Sequence, residues 1–584
     1  MEEVQKKDQR ETLNFLWQYL RREKRNLCMI VVFVIISTIA SVISPFLLGK
    51  VIDEAIPKLS ERLLFFYLGL LGLTYLLKSL LSWFTNRKMA YVAEQTLYLL
   101  RKDLFEHLDA LPLHYFDAHE KGDLMSRFTN DISVISDALT DAIVDIISSA
   151  VTLIGVSIIM FWMSIPLSIA VIITVPFFFL LVFKIGKKAN DYFTAQQNNL
   201  GAVTSYAEEY LSGMKVIRSV QKEKEIQAQF HETNRELCAS SIMAQTYASF
   251  VLPADAFITN VGNILLIAVG AILVLQGKTT IGSILAFLNY ASMFRTPITN
   301  LASLFASMQS AFAGAQRVRE IMLEPTEWEA QEEIGSEIEG RITFSNVSFA
   351  YEKDHLILKN INFEVKPGEK IAIVGPTGSG KTTLINLLNR FYDVTEGTIL
   401  LDNVPINLLS KKELRKEIGL VLQDTYLFKD TVENNVRYSN LDASFEEVRK
   451  ACKEAMAHPF IHRLPQSYQT LVEEEGSNFS QGERQLISIA RTILGNPKVL
   501  VLDEATSNID TRTEALVQQG MVELMNHRTC FIIAHRLSTI QNVDRIFVMK
   551  DGKIIEEGNH KKLLEKKGFY YELYNSQFHD ENLF

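Results

Sequence analysis

Six apolar stretches, most of them near the roughly 20 residues that a helix needs to cross ~30 Å of hydrocarbon, crowd the first half of this 584-residue sequence. They run over residues 27–48, 63–84, 142–163, 165–183, 250–275 and 284–305. A chain so patterned cannot bury all of that surface in one water-soluble core, so part of it is expected in lipid. The sixth stretch is the most diluted, because it carries Asn289, Arg295 and Asn300. It is included because an even number of crossings returns the chain to its starting side.

Basic flanks orient the spans. Arg21, Arg22, Lys24 and Arg25 precede the first, Arg87 and Lys88 follow the second, and Lys184, Lys187 and Lys188 follow the fourth. The N-terminus, the two long loops (85–141 and 184–249) and the C-terminal half are therefore expected in the cytoplasm. Both loops keep a helical period and should extend as helices beyond the bilayer. The polar, charged opening of the chain shows no cleavable leader, and Cys28, Cys238, Cys452 and Cys530 lack metal or disulfide spacing. A net charge of -9 argues against nucleic acid as a partner.

The pattern changes across 324–340, an acidic linker. Beyond it lie short strand-like runs (ITFSNVSFAY, INFEV, KIAIVG, GTILLD, IGLVLQ, KVLVLDEA, TCFIIAH) separated by helical segments. Continuous apolar strands of this kind belong to an α/β domain with strands buried on both faces. After KIAIV comes Gly375-Pro376-Thr377-Gly378-Ser379-Gly380-Lys381-Thr382-Thr383, opening a helix. That is a P-loop in its proper context: backbone N–H groups close around phosphate, Lys381 reaches the β and γ phosphates, and the Thr382 hydroxyl holds Mg²⁺. The strand VLVL ends in Asp503 and Glu504, one suited to hold Mg²⁺ through water and the other to orient or deprotonate an attacking water.

Residues 479–491 (FSQGERQLISIAR) resemble the signature segment of ABC ATPases. Other motifs follow in family order. Tyr351 resembles the aromatic that stacks on adenine, Gln423 the Q-loop, Asp510 within SNID the D-loop, Glu474 the X-loop and His535 the H-loop. A lone Tyr, Gln or His is more often structural, and it is the order and spacing that make these functional. In the first half, LPLHYFD (111–117), GDLMSR (122–127) and Asn130-Asp131 resemble the first intracellular loop of ABC exporters with its coupling helix. EEYLSG (208–213) resembles the segment near the second coupling helix, and GAQR (314–317) the exit of the sixth span.

The resemblance implies a half-transporter. Its parts would be an all-α six-helix transmembrane domain of the type I exporter, or type IV, fold (1–323), the linker (324–340) and an α/β P-loop ABC nucleotide-binding domain (341–584). ATP would be held by Tyr351 and by Gly375 to Thr383, and Mg²⁺ by Thr382, Gln423 and Asp503. Glu504, His535 and Gln423 would serve catalysis, and Ser480, Gln481, Gly482 and Glu483 would cap the ATP on a partner's P-loop. The expected setting is a bacterial cytoplasmic membrane, and the expected partners are lipid, a second half-transporter and a small hydrophobic or cationic substrate.

The signature departs from the usual Leu-Ser-Gly-Gly-Gln. Gln481 adds bulk where backbone approaches ligand, and Glu483 brings an anion toward an anion unless it turns away or meets an Arg. A complete catalytic set beside an altered signature resembles one partner of the bacterial heterodimeric multidrug exporters. A homodimeric lipid flippase or peptide exporter is the alternative, the absence of a peptidase-like extension weighing against the latter, and an ABC ATPase without transport is the remote one. In-span Asp145, Asp255, Asn260, Asn263 and Arg295 should face a cavity or each other.

Overall fold

The computed structural model describes every residue except 1, 328–337, 352–354, 423–424, 505–509, 535–540 and 579–584. The chain divides into two compact units, 1–108 with 122–324 and 109–121 with 325–584.

The first unit is helical. Its elements are α1 (Glu2–Leu20), α2 (Lys24–Lys50) and α3 (Glu61–Asp109), then, beyond α4 (Leu113–Ala118), α5 (Lys121–Ser126), α6 (Ile132–Met163), α7 (Ile165–Ser212), α8 (Met214–Ser219), α9 (Glu223–Leu275) and α10 (Ile281–Leu323). α3 runs unbroken through residues expected in the first long loop, while α7 and α9 carry the second and stack Tyr192 on Tyr247 with ring centroids 5.2 Å apart. Pro45, Pro176, Pro253 and Pro297 all sit inside helices. Neighbouring helices in lipid tolerate such breaks by satisfying the freed backbone groups.

Val42, Met160, Leu167, Leu266, Phe287 and Tyr290 form a buried cluster, with the Tyr290 hydroxyl donating to the Val42 carbonyl at 2.9 Å. The helix α10 begins with Thr280 accepting from Ser283 N, and Asp53 accepts from both the Thr280 hydroxyl (2.6 Å) and Gly282 N (2.8 Å). At that crossing a side chain on Gly282 would lie 2.2 Å from the Gly49 carbonyl, so the closeness of α2 and α10 requires glycine.

Among the described residues, four helical runs are long and apolar enough to cross a membrane: Asp8–Ala55, Glu61–Asp109, Lys121–Met163 and Glu223–Leu275. The fourth predicted stretch falls in α7, which includes the shorter apolar run Ile165–Phe177 among the described residues. The sixth falls in α10, which is not among the four and which carries the three polar residues noted above.

The second unit holds two sheets. Strands β1 (Ile342–Ala350), β2 (Leu356–Val365), β3 (Lys370–Val374), β4 (Glu396–Leu401), β5 (Val404–Pro405), β6 (Ile418–Val421), β7 (Val499–Glu504), β8 (Thr529–Ala534), β9 (Arg545–Lys550) and β10 (Lys553–Gly558) arrange as β2-β1-β4-β5 and β10-β9-β3-β8-β7-β6. The first sheet is antiparallel, and in the second β9, β3, β8, β7 and β6 run parallel. Seven of the ten strands coincide with the runs read from sequence. The hairpin β9–β10 does not, although its Asp551-Gly552 turn, with both φ positive, is a readable hairpin signal.

Flanking helices include α11 (Lys381–Leu388), α12 (Lys411–Glu417), α13 (Val432–Arg437), α14 (Phe445–Glu454), α15 (His458–Ile461), α16 (Gln481–Gly495) and α17 (Thr511–Leu524). Burying Ile371 to Val374 and Val499 to Leu502 on both faces fixes the parallel core from which the loops of the site project.

Candidate functional site

The site is built where β3, β8 and β7 end. Chain leaving β3 makes the turn 375–380 and enters α11. Gly380 is its N-cap at φ +99, and a Cβ there would also lie 2.6 Å from Leu358 Cδ2, so no other residue fits without strain. Lys381 folds over the turn, its Nζ donating to the carbonyls of Gly375 (2.8 Å) and Pro376 (3.0 Å). Burial pulls its pKa below the ordinary lysine range, and the charge of Asp503 opposes that pull. The Ser379 hydroxyl is buried with no hydrogen-bond partner. An orphaned hydroxyl, a folded-back ammonium and the free N–H groups at a helix N-terminus form a cradle suited to phosphate oxygens.

The remaining sequence-predicted residues distribute around this cradle. Thr382 is exposed at the start of α11, while Thr383 is buried and accepts from the Tyr351 hydroxyl at 3.3 Å. Thr383 thus braces the aromatic platform. Tyr351 is 48% exposed, leaving a free ring face, and it packs edge-on against Tyr392 and Phe349. Asn386, which sequence reasoning missed, donates to the same hydroxyl at 3.5 Å. Asp503 and Glu504 close β7, and Glu504 pairs in the ladder with Ala534, the residue before His535. Gln423, His535 and the D-loop residues before Asp510 lie outside the described residues. Asp510 caps α17, accepting from Thr513 N at 3.0 Å, and that bond holds its carboxyl below the ordinary range.

At the signature, Phe479 is buried and Ser480 caps α16. Glu483 turns back: its Oε2 accepts from Ser480 N and Ser480 Oγ, both at 2.9 Å, while Ser480 Oγ also receives Glu483 N. The carboxylate thus folds onto the N-cap of its own helix, because a glutamate three residues after an N-cap serine completes a capping box. Arg491, on the same helix, donates to the Asn435 and Tyr426 carbonyls and lies over the Phe428 and Tyr438 rings.

In the helical unit, Arg295 donates to the Thr259 hydroxyl, and Thr174, Thr259, Asn263 and Arg295 line a 20 Å³ cavity, about the space of one water. Asp255 Oδ1 is buried without a hydrogen-bond partner, one turn before Thr259. Asn263 and Arg295 are therefore brought together. Asp145, on α6, is not among the residues lining that cavity.

Residues 27–298 match the ABC transporter transmembrane region family, and residues 358–507 match the ABC transporter family. The chain is 43% identical to the uncharacterized ABC transporter ATP-binding protein YfiC of Bacillus subtilis, over 98% of this chain and 95% of that one. It is 39% identical to the fatty acid ABC transporter ATP-binding/permease protein of Mycobacterium bovis, covering 85% and 79%. It is 35% identical to the probable multidrug resistance ABC transporter ATP-binding/permease protein YheH of Bacillus subtilis, covering 83% and 72%.

Proposed function

The chain belongs to the ABC transporters, as a half-transporter with a multi-pass membrane region fused to an ATP-binding ATPase, and from that premise we propose that it exports hydrophobic or amphipathic compounds. All six stretches cross the membrane, with the N-terminus and the ATPase unit in the cytoplasm of a bacterial cell. A fatty acid ABC transporter and a probable multidrug resistance ABC transporter among its relatives support this class.

Two ATP molecules clamp this chain to a second half-transporter, each lying between one P-loop and the other chain's signature. Thr382, Asp503 and Gln423 would hold Mg²⁺, which would supply neutralising charge for the transferred phosphoryl group. Glu504 orients or deprotonates the attacking water, and His535 and Gln423 contact the γ-phosphate and the metal. The partner is a different chain with a regular signature and without the catalytic glutamate. One observation carries this: a complete P-loop and carboxylate set beside a signature that reads Phe-Ser-Gln-Gly-Glu.

The test is to purify the tagged chain, identify what accompanies it, and measure ATP hydrolysis alone and with that companion, with and without a long-chain fatty acid or a cationic dye. Hydrolysis only in the two-chain complex, stimulated by one of the amphiphiles, is expected. Vigorous hydrolysis by this chain alone would make it a homodimer.

A further inference from the structure

Residues Asp109–Lys121 lie in the first half of the sequence but pack as part of the ATPase unit. Two contacts among the described residues fasten them there. At one, the Tyr392 hydroxyl donates to Asp117 Oδ2 at 2.5 Å. At the other, Glu327 N donates to the Ala110 carbonyl at 2.6 Å. The Glu327 carboxylate, its side chain only 5% exposed, accepts two bonds from the Arg415 guanidinium (3.0 and 2.6 Å) and faces Lys411 Nζ at 3.2 Å.

Both fasteners converge on one place. Arg415 donates onward to the carbonyls of Asn389 (3.3 Å) and Arg390 (3.0 Å) and stacks over the Phe391 ring. Residues 389–392 directly follow α11 and are tied to its last turn, with Asn389 N on the Ile385 carbonyl and Phe391 N on the Asn386 carbonyl. Tyr392 also packs edge-on against Tyr351 at 4.9 Å, and Tyr351 bonds Thr383 of the same helix. Thus α11, eight residues and about 12 Å long, has the phosphate cradle at one end and both anchors of Asp109–Lys121 at the other.

We propose that Tyr392 and Glu327 are positioning residues that transmit nucleotide occupancy from the P-loop helix to the segment Asp109–Lys121, by a route separate from Gln423. The proposal rests on taking that segment as a coupling element. A short helix moves as a body, so phosphates docking at its N-terminus displace whatever its C-terminal end holds. The two contacts suit the task because both stay made. Burial pushes the Glu327 carboxyl up, but Arg415 and Lys411 outweigh burial and hold it below the ordinary range, ionised at neutral pH. Burial and then Asp117 push the Tyr392 phenol well above its range, keeping it a donor.

Hydrogen exchange over residues 109–121 tests this in the purified full-length transporter, with its partner chain if it has one, with and without Mg-AMP-PNP. The chains compared are unsubstituted, Tyr392→Phe, Glu327→Gln and the double variant. Tyr392→Phe keeps the ring against Tyr351 and deletes only the bond, and Asp117→Ala replaces Glu327→Gln if that variant folds poorly. Expected is AMP-PNP affinity within about twofold in every variant, while the protection that nucleotide confers on 109–121 falls about fivefold or more in the double variant. Nucleotide protection equal to that of the unsubstituted chain overturns the proposal and leaves the coupling element standing. Faster exchange in the nucleotide-free state with an unchanged nucleotide response marks a merely structural role and overturns it equally. Absence of any response in the unsubstituted chain overturns both.

Discussion

The two units are made from similar apolar residues that face opposite ways. In the helical unit, Phe65, Trp162 and Leu275 stand largely exposed, whereas in the ATPase unit the strand residues Val499 to Leu502 are wholly buried. One unit expects hydrocarbon where the other expects water. In the ATPase unit the chemistry is therefore fixed by backbone turns at strand ends, whose glycines and carboxylates are visible in sequence. In the helical unit function depends on which few polar side chains turn inward, and a helix presents those by rotation, a property no short motif records.

Four tests bear on that contrast. The largest effect is expected from Glu504→Gln, which should lower ATP turnover about 10²- to 10⁴-fold with ATP still bound. Wild-type turnover would remove Glu504 from the mechanism and blunt the claim that strand ends carry the chemistry. Next comes a matched pair of exposed apolar residues, Ile154 on α6 and Val522 on α17, at 62% and 55% exposure. Lysine at Ile154 should cost about 2.5–3.5 kcal/mol of membrane insertion, whereas lysine at Val522 should change stability by less than about 0.5 kcal/mol. Equal membrane yields and melting temperatures for the two variants would mean the units do not face different solvents.

Gly380→Ala is the third, costing about 1–2 kcal/mol for the left-handed conformation, together with contact against Leu358, read as a lowered melting temperature of the ATPase transition and weaker ATP binding. A neutral outcome would show that the turn relaxes. The smallest effect is expected from Glu483→Gln. Glutamine also completes a capping box, so hydrolysis by the assembled dimer should stay within about twofold. A rise of tenfold or more would identify charge repulsion as the signature's defect.

Much of this was legible in the residues. The P-loop, the strand ending in Asp503-Glu504 and most strands follow from local pattern, because steric demands at φ above zero and continuous apolar runs leave few alternatives. The backward turn of Glu483 is readable too, as serine followed three residues later by glutamate at a helix start. The tie of Asp117 to Tyr392 was not readable, since it joins side chains 275 residues apart and neither has a local partner that hints at the other. The sixth apolar stretch is hard to read for a similar reason: Arg295 and its Thr259 partner come from different helices, so the satisfied polar group looks unsatisfied in one dimension.

The membership of residues 109–121 in the ATPase unit also orders events at the ribosome. At about 5–20 residues per second, Asp117 emerges some 14–55 s before Tyr392, and by then α3 and α6 are being handed to the membrane. The ATPase unit therefore cannot reach its final packing until a segment made much earlier has been held in reach. Domains produced from residue 325 onward would lack the Ala110 carbonyl and the Asp117 carboxylate. Excision of this unit for separate study would start from an incomplete surface, and the early part of the chain acts as a late ingredient of the domain that follows it.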